Sequence, residues 1–278
     1  MKNGLIQKEK LDIIIVAGQS NAAGSGLGDV TREYEKNERV LWMSDEPEPY
    51  YIEKENGEIS LERNIPEKID VGVADEGVSD GNKVGNLSLT FAENYAKYLL
   101  TPDRKILIIN AGVGGSGFTP VGWGLGNVLY ERLLNMVKEA LSYNEENRIV
   151  ALLWHQGEND SVRCPDWDED KRYQVYKSNL LTMMNDFKKT FDLKDIPFVA
   201  GGFCDEWYLK NKGPCDAVLQ AVMDCCEVMQ GVFVPTTGLL SNNQKTGDGD
   251  DIHFCRESLH ILGEKYYDAF TKIINNKC

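Results

Sequence analysis

The stretch that decides the fold is Leu11-Asp12-Ile13-Ile14-Ile15-Val16-Ala17-Gly18-Gln19-Ser20-Asn21-Ala22-Ala23-Gly24. Its first half is a short apolar run rich in β-branched residues, which is typical of a buried strand of a parallel sheet. Its second half consists of small residues, which allow a tight turn from a strand into a helix. The turn projects one side chain upward, so Ser20 is either a nucleophile or the N-cap of the following helix.

The same alternation continues along the chain. Further apolar runs predict buried strands at Val40–Met43, Lys105–Asn110, Ile149–Trp154, Phe198–Ala200 and Gly231–Val234. Apolar residues at helical spacing lie between and after them, in the segments 87–99, 125–141, 173–191 and 259–273. Strands that alternate with helices predict a three-layer α/β/α sandwich with a mostly parallel sheet, and we interpret residues 1–278 as a single domain.

Residues 44–84 interrupt this alternation. The segment contains Pro47, Pro49 and Pro66, many acidic residues and several glycines. A long connection of this composition predicts a partly ordered excursion over the surface, and it could cover one edge of an active site.

Composition limits the classes of partner. The 278 residues carry a formal net charge of −14, which argues against nucleic acid, and no stretch is long enough and apolar enough to span a membrane. Seven cysteines without zinc-ligand spacing favour reduced, structural thiols. The apolar run near the N-terminus is too short and interrupted for a signal peptide, so we expect a cytoplasmic protein.

Ligands of parallel α/β sheets bind beyond the carboxyl ends of the strands, and two loops there have unusual sequences. The loop Asn110-Ala111-Gly112-Val113-Gly114-Gly115-Ser116-Gly117 can turn its backbone N–H groups toward an oxyanion. A phosphate loop is the rival interpretation, although neither phosphate-binding spacing is met. In Trp154-His155-Gln156-Gly157-Glu158, Gln156 offers a neutral amide donor, and we expect His155 and Glu158 to brace the loop.

The third unusual loop contains a possible acid–base pair. Asp250 precedes His253 by three residues, so its carboxylate can accept one imidazole N–H while the other ring nitrogen faces a serine. The chain has three histidines, and His260 falls inside the last helical pattern, where we expect it to be partly exposed. The acidic residues Asp248, Asp250 and Asp251 lack the alternating spacing of a calcium loop, so we expect no metal.

Taken together, these blocks resemble the SGNH (GDSL-like) hydrolase superfamily, and more narrowly the sialate O-acetylesterase-type domain that includes carbohydrate esterase family 6 and acetylxylan esterases. The matching blocks run through nearly the whole chain and comprise Gly18-Gln19-Ser20-Asn21, Gly114-Gly115-Ser116, Trp154-x-Gln156-Gly157-Glu158 and Asp250-x-x-His253-Phe254.

The resemblance implies a flavodoxin-like fold and the removal of acetyl groups from sugar hydroxyls without a cofactor. By position it makes Ser20 the nucleophile, His253 the general base and Asp250 the residue that orients it. The implied oxyanion donors are the amide of Ser20, the amide of Gly115 or Gly114, and the side chain of Gln156. The remaining residues of these blocks, Gln19, Asn21 and Glu158, are expected to support the site.

The substrate is not fixed by these motifs. Trp123, Trp207 and Tyr208 could stack on a sugar or pack beneath a loop. We favour an oligosaccharide substrate such as an acetylated xylan fragment. An O-acetylated sialic acid is the alternative, and its carboxylate would call for Arg163, the nearest arginine. A non-catalytic sugar-binding protein is a rival from another class, but it would have no use for the serine, histidine and aspartate together.

Overall fold

The computed structural model describes residues 6, 8–46, 50–53, 59–62, 68–118 and 122–276. Seven of the described strands form a central sheet in the order β11-β10-β9-β1-β8-β2-β5. All neighbours pair in parallel except β2 and β5, which are antiparallel. The strands are β1 (Lys10–Gly18), β2 (Val40–Glu46), β3 (Tyr50–Glu53), β4 (Ile59–Glu62), β5 (Lys68–Val73), β6 (Gly77–Ser79), β7 (Asn82–Val84), β8 (Arg104–Asn110), β9 (Arg148–His155), β10 (Phe198–Gly201) and β11 (Val232–Val234).

Helices cover both faces of this sheet. In chain order they are α1 (Ser20–Ala23), α2 (Leu87–Tyr98), α3 (Val128–Ser142), α4 (Glu158–Val162), α5 (Glu169–Thr190), α6 (Asp205–Lys210), α7 (Lys212–Val228), α8 (Asn242–Thr246) and α9 (Arg256–Asn275). Residues of α3, α5 and α7 pack in one apolar core, and residues of α2 and α9 pack in the other. The predicted three-layer sandwich is confirmed.

Strand β1 lies at the centre because both of its faces are apolar. Ile13, Ile15 and Ala17 point into the core of α3, α5 and α7, whereas Ile14 and Val16 point into the core of α2 and α9. This is the period of two that a strand imposes on successive side chains. Both neighbours, β8 and β9, pair with β1 along nearly its whole length.

Asp12 is the polar exception on this strand. Its carboxylate is fully buried and accepts hydrogen bonds from Arg104 Nε at 2.7 Å, Arg148 Nε at 2.7 Å and the Tyr95 hydroxyl at 2.8 Å. Burial by itself would raise the pKa of Asp12, but the hydrogen bonds from Arg148, Tyr95 and Arg104 outweigh it and leave that pKa below its ordinary value.

Strand β5 and helix α7 are among the elements that the sequence did not predict. The segment 44–84 was expected to leave the sheet, but Lys68–Val73 returns to it as edge strand β5. Its remaining described parts are the hairpins β3–β4 and β6–β7; Pro47, Pro49 and Pro66 lie outside the described residues. Helix α7 was also missed, because Gly213 and Pro214 resemble a loop, although proline is tolerated in the first turn of a helix.

The predicted helix over 125–141 begins later than expected. Leu125 is exposed and precedes α3, which begins at Val128. Across the described chain, no helix combines the length and the apolar character that crossing a membrane requires. Six cysteines are free, and five of them are buried; Cys278 lies outside the described residues.

We predict that replacing Asp12 with alanine destabilises the fold by about 3–5 kcal/mol, because buried Arg104 and Tyr95 lose their acceptor. Arg148→Ala is the matched control. The Arg148 side chain is more than half exposed, so its loss should cost at most about 1 kcal/mol. Urea unfolding of the two variants measures both values. Equal losses would contradict the expectation that the buried contacts of Asp12 with Arg104 and Tyr95 contribute more than the exposed contact with Arg148.

Candidate active site

The turn after β1 presents Ser20 at the carboxyl edge of the sheet. Gly18 has a φ of 136°, and a Cβ at this position would lie 2.0 Å from the carbonyl oxygen of His155, so only glycine fits. The backbone N–H groups of Ala22 and Ala23 donate to the carbonyl of Gln19. Gln19 is therefore the N-cap residue of α1, and the hydroxyl of Ser20 is not used as the cap.

Ser20, His253 and Asp250 form a continuous chain of hydrogen bonds. His253 Nε2 lies 2.8 Å from Ser20 Oγ, and His253 Nδ1 lies 2.7 Å from Asp250 Oδ2. Burial tends to raise the pKa of Asp250, but hydrogen bonds from His253 and Asn242 hold it below its ordinary value. The carboxylate therefore remains ionised and accepts the Nδ1–H, which leaves Nε2 as the acceptor facing the serine hydroxyl.

Asn21, next to Ser20, fixes the loop that carries the imidazole. Its Nδ2 donates to Glu158 Oε1 at 2.8 Å and to the carbonyl of Ile252 at 3.2 Å, while its Oδ1 accepts the backbone N–H of Phe254 at 3.1 Å. One buried amide thus clamps the residues on either side of His253.

Asn242 makes a second clamp that the sequence did not reveal. Its Nδ2 donates to Asp250 Oδ2 at 3.0 Å and to the carbonyl of Ser25 at 2.9 Å, and its Oδ1 accepts the N–H of Leu27 at 2.8 Å. The sequence does contain one signal for this position, which is Ser241 followed three residues later by Gln244. These two residues form a capping box that fixes the start of α8, where Asn242 lies.

Glu158 and His155 lie beneath the site and do not face a cavity. Both are fully buried, and burial raises the pKa of Glu158 and lowers the pKa of His155 to about 3. His155 Nδ1 contacts the Tyr266 hydroxyl at 2.9 Å, and that hydroxyl donates to the carbonyl of Trp154. His155 is therefore neutral and structural, and the imidazole beside Ser20 is that of His253.

The backbone N–H groups of Ser20 and Gly115 have no acceptor among the described residues. The glycine loop is held against β1, because the N–H of Val113 and the hydroxyl of Ser116 both donate to the carbonyl of Gly18. A Cβ on Gly114 would lie 3.9 Å from the Cβ of Ser20, so the loop passes directly beside the serine.

Gln156 does not have the orientation that its predicted role in the oxyanion hole requires. Its Nε2 contacts Asp160 Oδ2 at 2.7 Å, Gln19 Oε1 at 3.2 Å and the carbonyl of Ser116 at 3.3 Å. Gln156 Nε2 carries two hydrogens and faces these three acceptors, so it has no N–H left over. The side chain is also almost fully buried. The sequence could not show this, because the competing acceptor Asp160 lies one helical turn later.

Gln19 is the residue that these contacts hold in place. Its Oε1 accepts from Gln156 Nε2 and from the backbone N–H groups of Gly157 and Asn159. The side chain before Ser20 is thereby fixed to the first turn of α4. This contact keeps the loops after β1 and β9 at a constant separation.

A cavity of about 570 Å³ opens beside the imidazole. Its lining is Ala23, Gly24, Ser25, Leu27, Trp42, Asp75, Gly77, Val78, Ser79, Val84, Asn86, Asn242, Asp250 and His253. The hairpin β6–β7 therefore forms one wall of the cavity beside His253, within the segment that was expected to cover an edge of the site. The aromatic side chain in the cavity is Trp42, which the sequence did not single out.

The aromatic residues predicted to contact a sugar lie elsewhere. Trp123 is fully buried and donates to Ser116 Oγ at 3.0 Å, so the prediction for it is wrong. Trp207 packs against both cores, and Tyr208 lines a separate cavity and donates to Asp216. Arg163 donates to Asn159 Oδ1 and does not line the cavity beside His253.

The cavity wall is anchored by a buried ionic cluster. Glu76 has no exposed side-chain surface and accepts from Arg256 Nε at 2.9 Å and contacts His260 Nε2 at 2.9 Å. The expectation that His260 is partly exposed is therefore wrong, because α9 turns this residue inward to meet Glu76. Burial would raise the pKa of Glu76, but His260 and Arg256 bring it down to about 2.

The acidic residues around Asp250 have protein partners. Asp251 forms an ion pair with Lys210, and Asp248 accepts the backbone N–H of Asp250. Among the described residues, no group of three or more histidine, cysteine, aspartate or glutamate side chains is arranged to hold a metal ion.

The family model for carbohydrate esterases described as sialic acid-specific acetylesterases matches residues 10–272. The chain belongs to this family. It is accordingly a carboxylic ester hydrolase. No curated protein matches its sequence.

Solved structures agree on the fold. NanS superposes with a TM-score of 0.75 at 18% identity, covering 97% of this chain and 99% of that one. A protein of Arabidopsis thaliana gives a TM-score of 0.66 at 20% identity, covering 96% and 99%. A carbohydrate acetylesterase from Xanthomonas citri gives 0.60 at 13% identity, covering 95% of this chain and 57% of that one.

We predict that Asn21→Ala lowers kcat for an acetyl ester by about 100-fold with a smaller change in KM, because the loop carrying His253 loses its contacts at Ile252 and Phe254. Two variants of Glu158 test the contact that Asn21 makes with it. Glu158→Gln keeps an oxygen that accepts from Asn21 Nδ2, so it should lose far less activity than Glu158→Ala. Steady-state kinetics decide the matter, and equal losses in the two Glu158 variants would mean that the carboxyl group itself is needed.

We predict that the stability contributed by Glu76 depends on pH. Its pKa is lowered in the folded state, so the contribution is complete above the ordinary value of 4.5 and disappears as the pH falls toward about 2. The difference in unfolding free energy between the unmodified protein and Glu76→Gln should shrink by roughly 1 kcal/mol between pH 5 and pH 3.5. A difference that stays constant over this range would contradict the ionised pairing.

Proposed function

We propose that the chain is a serine carbohydrate O-acetylesterase in which Ser20 is the nucleophile, His253 the general base and Asp250 the residue that orients the imidazole. The observation that carries the proposal is the pair of hydrogen bonds, 2.8 Å and 2.7 Å, that joins the three side chains. Such an arrangement activates a hydroxyl that is otherwise a weak nucleophile.

In the proposed reaction, His253 Nε2 takes the proton of Ser20 as Oγ attacks the acetyl carbonyl carbon. Asp250 stabilises the imidazolium that forms and does not itself take up the proton. The imidazolium then protonates the sugar oxygen as the ester bond breaks, which leaves acetyl-Ser20. Water attacks this ester with His253 again as the base, and acetate and free Ser20 result.

The negative charge on the tetrahedral intermediate needs donors beside Ser20. The amides of Ser20 and Gly115 are suited to this role, because neither has an acceptor among the described residues. One such donor is typically worth about 3–4 kcal/mol of barrier. We do not assign Gln156 to the hole, because its N–H groups are used by Asp160, Gln19 and Ser116.

For the substrate we propose an acetylated oligosaccharide, with an O-acetylated sialic acid as the alternative. The family description names sialic acid, and the solved relative from Xanthomonas citri is named a carbohydrate acetylesterase. The cavity beside His253 has the size of an ordinary small-molecule site. A sugar-binding protein without activity is disfavoured by the intact hydrogen-bonded chain at Ser20.

The purified protein should release 4-nitrophenol from 4-nitrophenyl acetate, and Ser20→Ala should lower kcat/KM by at least about 1,000-fold. Ser25→Ala is a matched control on the same turn, because Ser25 Oγ donates to the carbonyl of Ser20 and contacts no base. It should lose at most a few-fold. Intact-mass analysis during turnover should find an acetyl group on Ser20.

If Ser20→Ala kept most of the activity, the nucleophile would be wrong. If the unmodified protein bound acetylated sugars without releasing acetate, the binding-protein alternative would replace the esterase.

A further inference from the structure

The strongest unassigned feature of the site is Trp42 on β2. Its indole is half-buried, and it borders both the 570 Å³ cavity beside His253 and a smaller cavity of about 140 Å³ beside Gly114. The other residue shared by the two cavities is Ala23, three positions after Ser20. Trp42 therefore stands next to the serine turn, between the imidazole side and the glycine-loop side.

Trp42 packs partly against the core of α2 and α9, and the rest of its side chain borders the two cavities. Its partner on β5 is Gly72, and a Cβ at Gly72 would meet no atom within 4 Å. The indole Nε1–H is neither sealed from solvent nor bonded to an acceptor among the described residues. An open aromatic face with a free donor suits a ring that is apolar on its faces and polar at its rim.

The opposite wall is the hairpin β6–β7, and it is held in place. Val78 at its edge is 70% exposed, which is unusual for a valine that borders a cavity. The residue before the hairpin is Glu76, whose ion pair with Arg256 fixes the wall to the start of α9, three residues after His253. The distance between the wall and the imidazole is therefore set by a buried contact.

The charges along this cavity have one sign. Of its lining side chains, the charged ones in the described chain are Asp75 and Asp250. Asp250 contacts His253, whereas Asp75 is exposed and pairs with Lys36 at 2.7 Å. A carboxylate in this position can accept hydrogen bonds from sugar hydroxyls. No lysine or arginine of the described chain lines the cavity, so the carboxylate of a sugar acid would meet no cation there.

We infer that Trp42, Val78 and Asp75 form the subsite for the sugar ring, and that this subsite selects an uncharged acetylated pyranose over a sugar acid. The inference rests on the proposed function, since the subsite matters only if Ser20 removes an acetyl group. Trp42 packs on the ring, Asp75 accepts hydrogen bonds from its hydroxyl groups, and the described lining offers no cation to an anionic substrate.

The test compares three acetyl esters: 4-nitrophenyl acetate, a mono-O-acetylated methyl xyloside and 9-O-acetylated N-acetylneuraminic acid. Of the two sugar esters, the unmodified protein should hydrolyse the xyloside with the higher kcat/KM. Trp42→Ala should lower the ratio of kcat/KM for the xyloside to that for 4-nitrophenyl acetate by about tenfold, and Trp42→Phe should restore part of it. Tyr98→Ala, which removes an exposed aromatic residue on α2, is the control.

Asp75→Asn should raise kcat/KM for the sialic acid ester, relative to that for 4-nitrophenyl acetate, several-fold. Added salt should raise the same ratio in the unmodified protein. A second measurement needs no variant: methyl xyloside should inhibit 4-nitrophenyl acetate hydrolysis more strongly than N-acetylneuraminic acid does.

Equal losses of Trp42→Ala on all three esters, or stronger inhibition by the sugar acid, would overturn the subsite. Activity that survives in Ser20→Ala would instead overturn the proposed function. The two failures are therefore distinguishable.

Discussion

The pairing of β1 with β8 on one side and β9 on the other determines where each part of the site lies. These parallel strands end in register at one edge of the sheet, so the serine turn, the glycine loop and the Gln156 loop begin side by side. Gly18 makes the closest approach, since its backbone touches the carbonyl of His155. A side chain at Gly18 would separate β1 from β9 and move Ser20 away from the imidazole of His253.

Around this edge, neutral amides do most of the positioning. Asn21 and Asn242 bridge backbone groups of segments that are distant in sequence, and Gln19 collects three N–H groups. An amide can donate and accept at once, so one side chain satisfies both kinds of buried backbone group. Charged pairs are placed farther from Ser20, at Asp12 near the start of β1 and at Glu76 behind the cavity wall.

The sequence predicted the layers well, because the apolar runs and helical stripes directly reflect burial on two faces of a sheet. It also singled out Ser20, Asp250 and His253, since histidines are few and the Asp-x-x-His spacing suits one turn. It failed where a role depends on a distant partner. His260 is buried because Glu76 is there to receive it, and Gln156 turns toward Asp160.

Strand β5 and Trp42 were missed for a related reason. The segment around β5 is rich in charge and proline, and its pairing with β2 is a long-range contact without a local pattern. Trp42 lies within an apolar strand, where a tryptophan suggests core. Part of this side chain does pack against the core of α2 and α9, and the absence of a side chain at Gly72 opposite leaves the rest uncovered.

The separation of 233 positions between Ser20 and His253 has a consequence for biosynthesis. The serine turn leaves the ribosome early, whereas the imidazole follows after most of the sheet has been made. Contacts between such distant residues form late and slowly in folding, because a long loop must first close. The Ser20 hydroxyl therefore lacks its imidazole neighbour until the segment carrying His253 has been made and has docked beside it, so the nascent chain passes through a stage in which the two side chains are still apart.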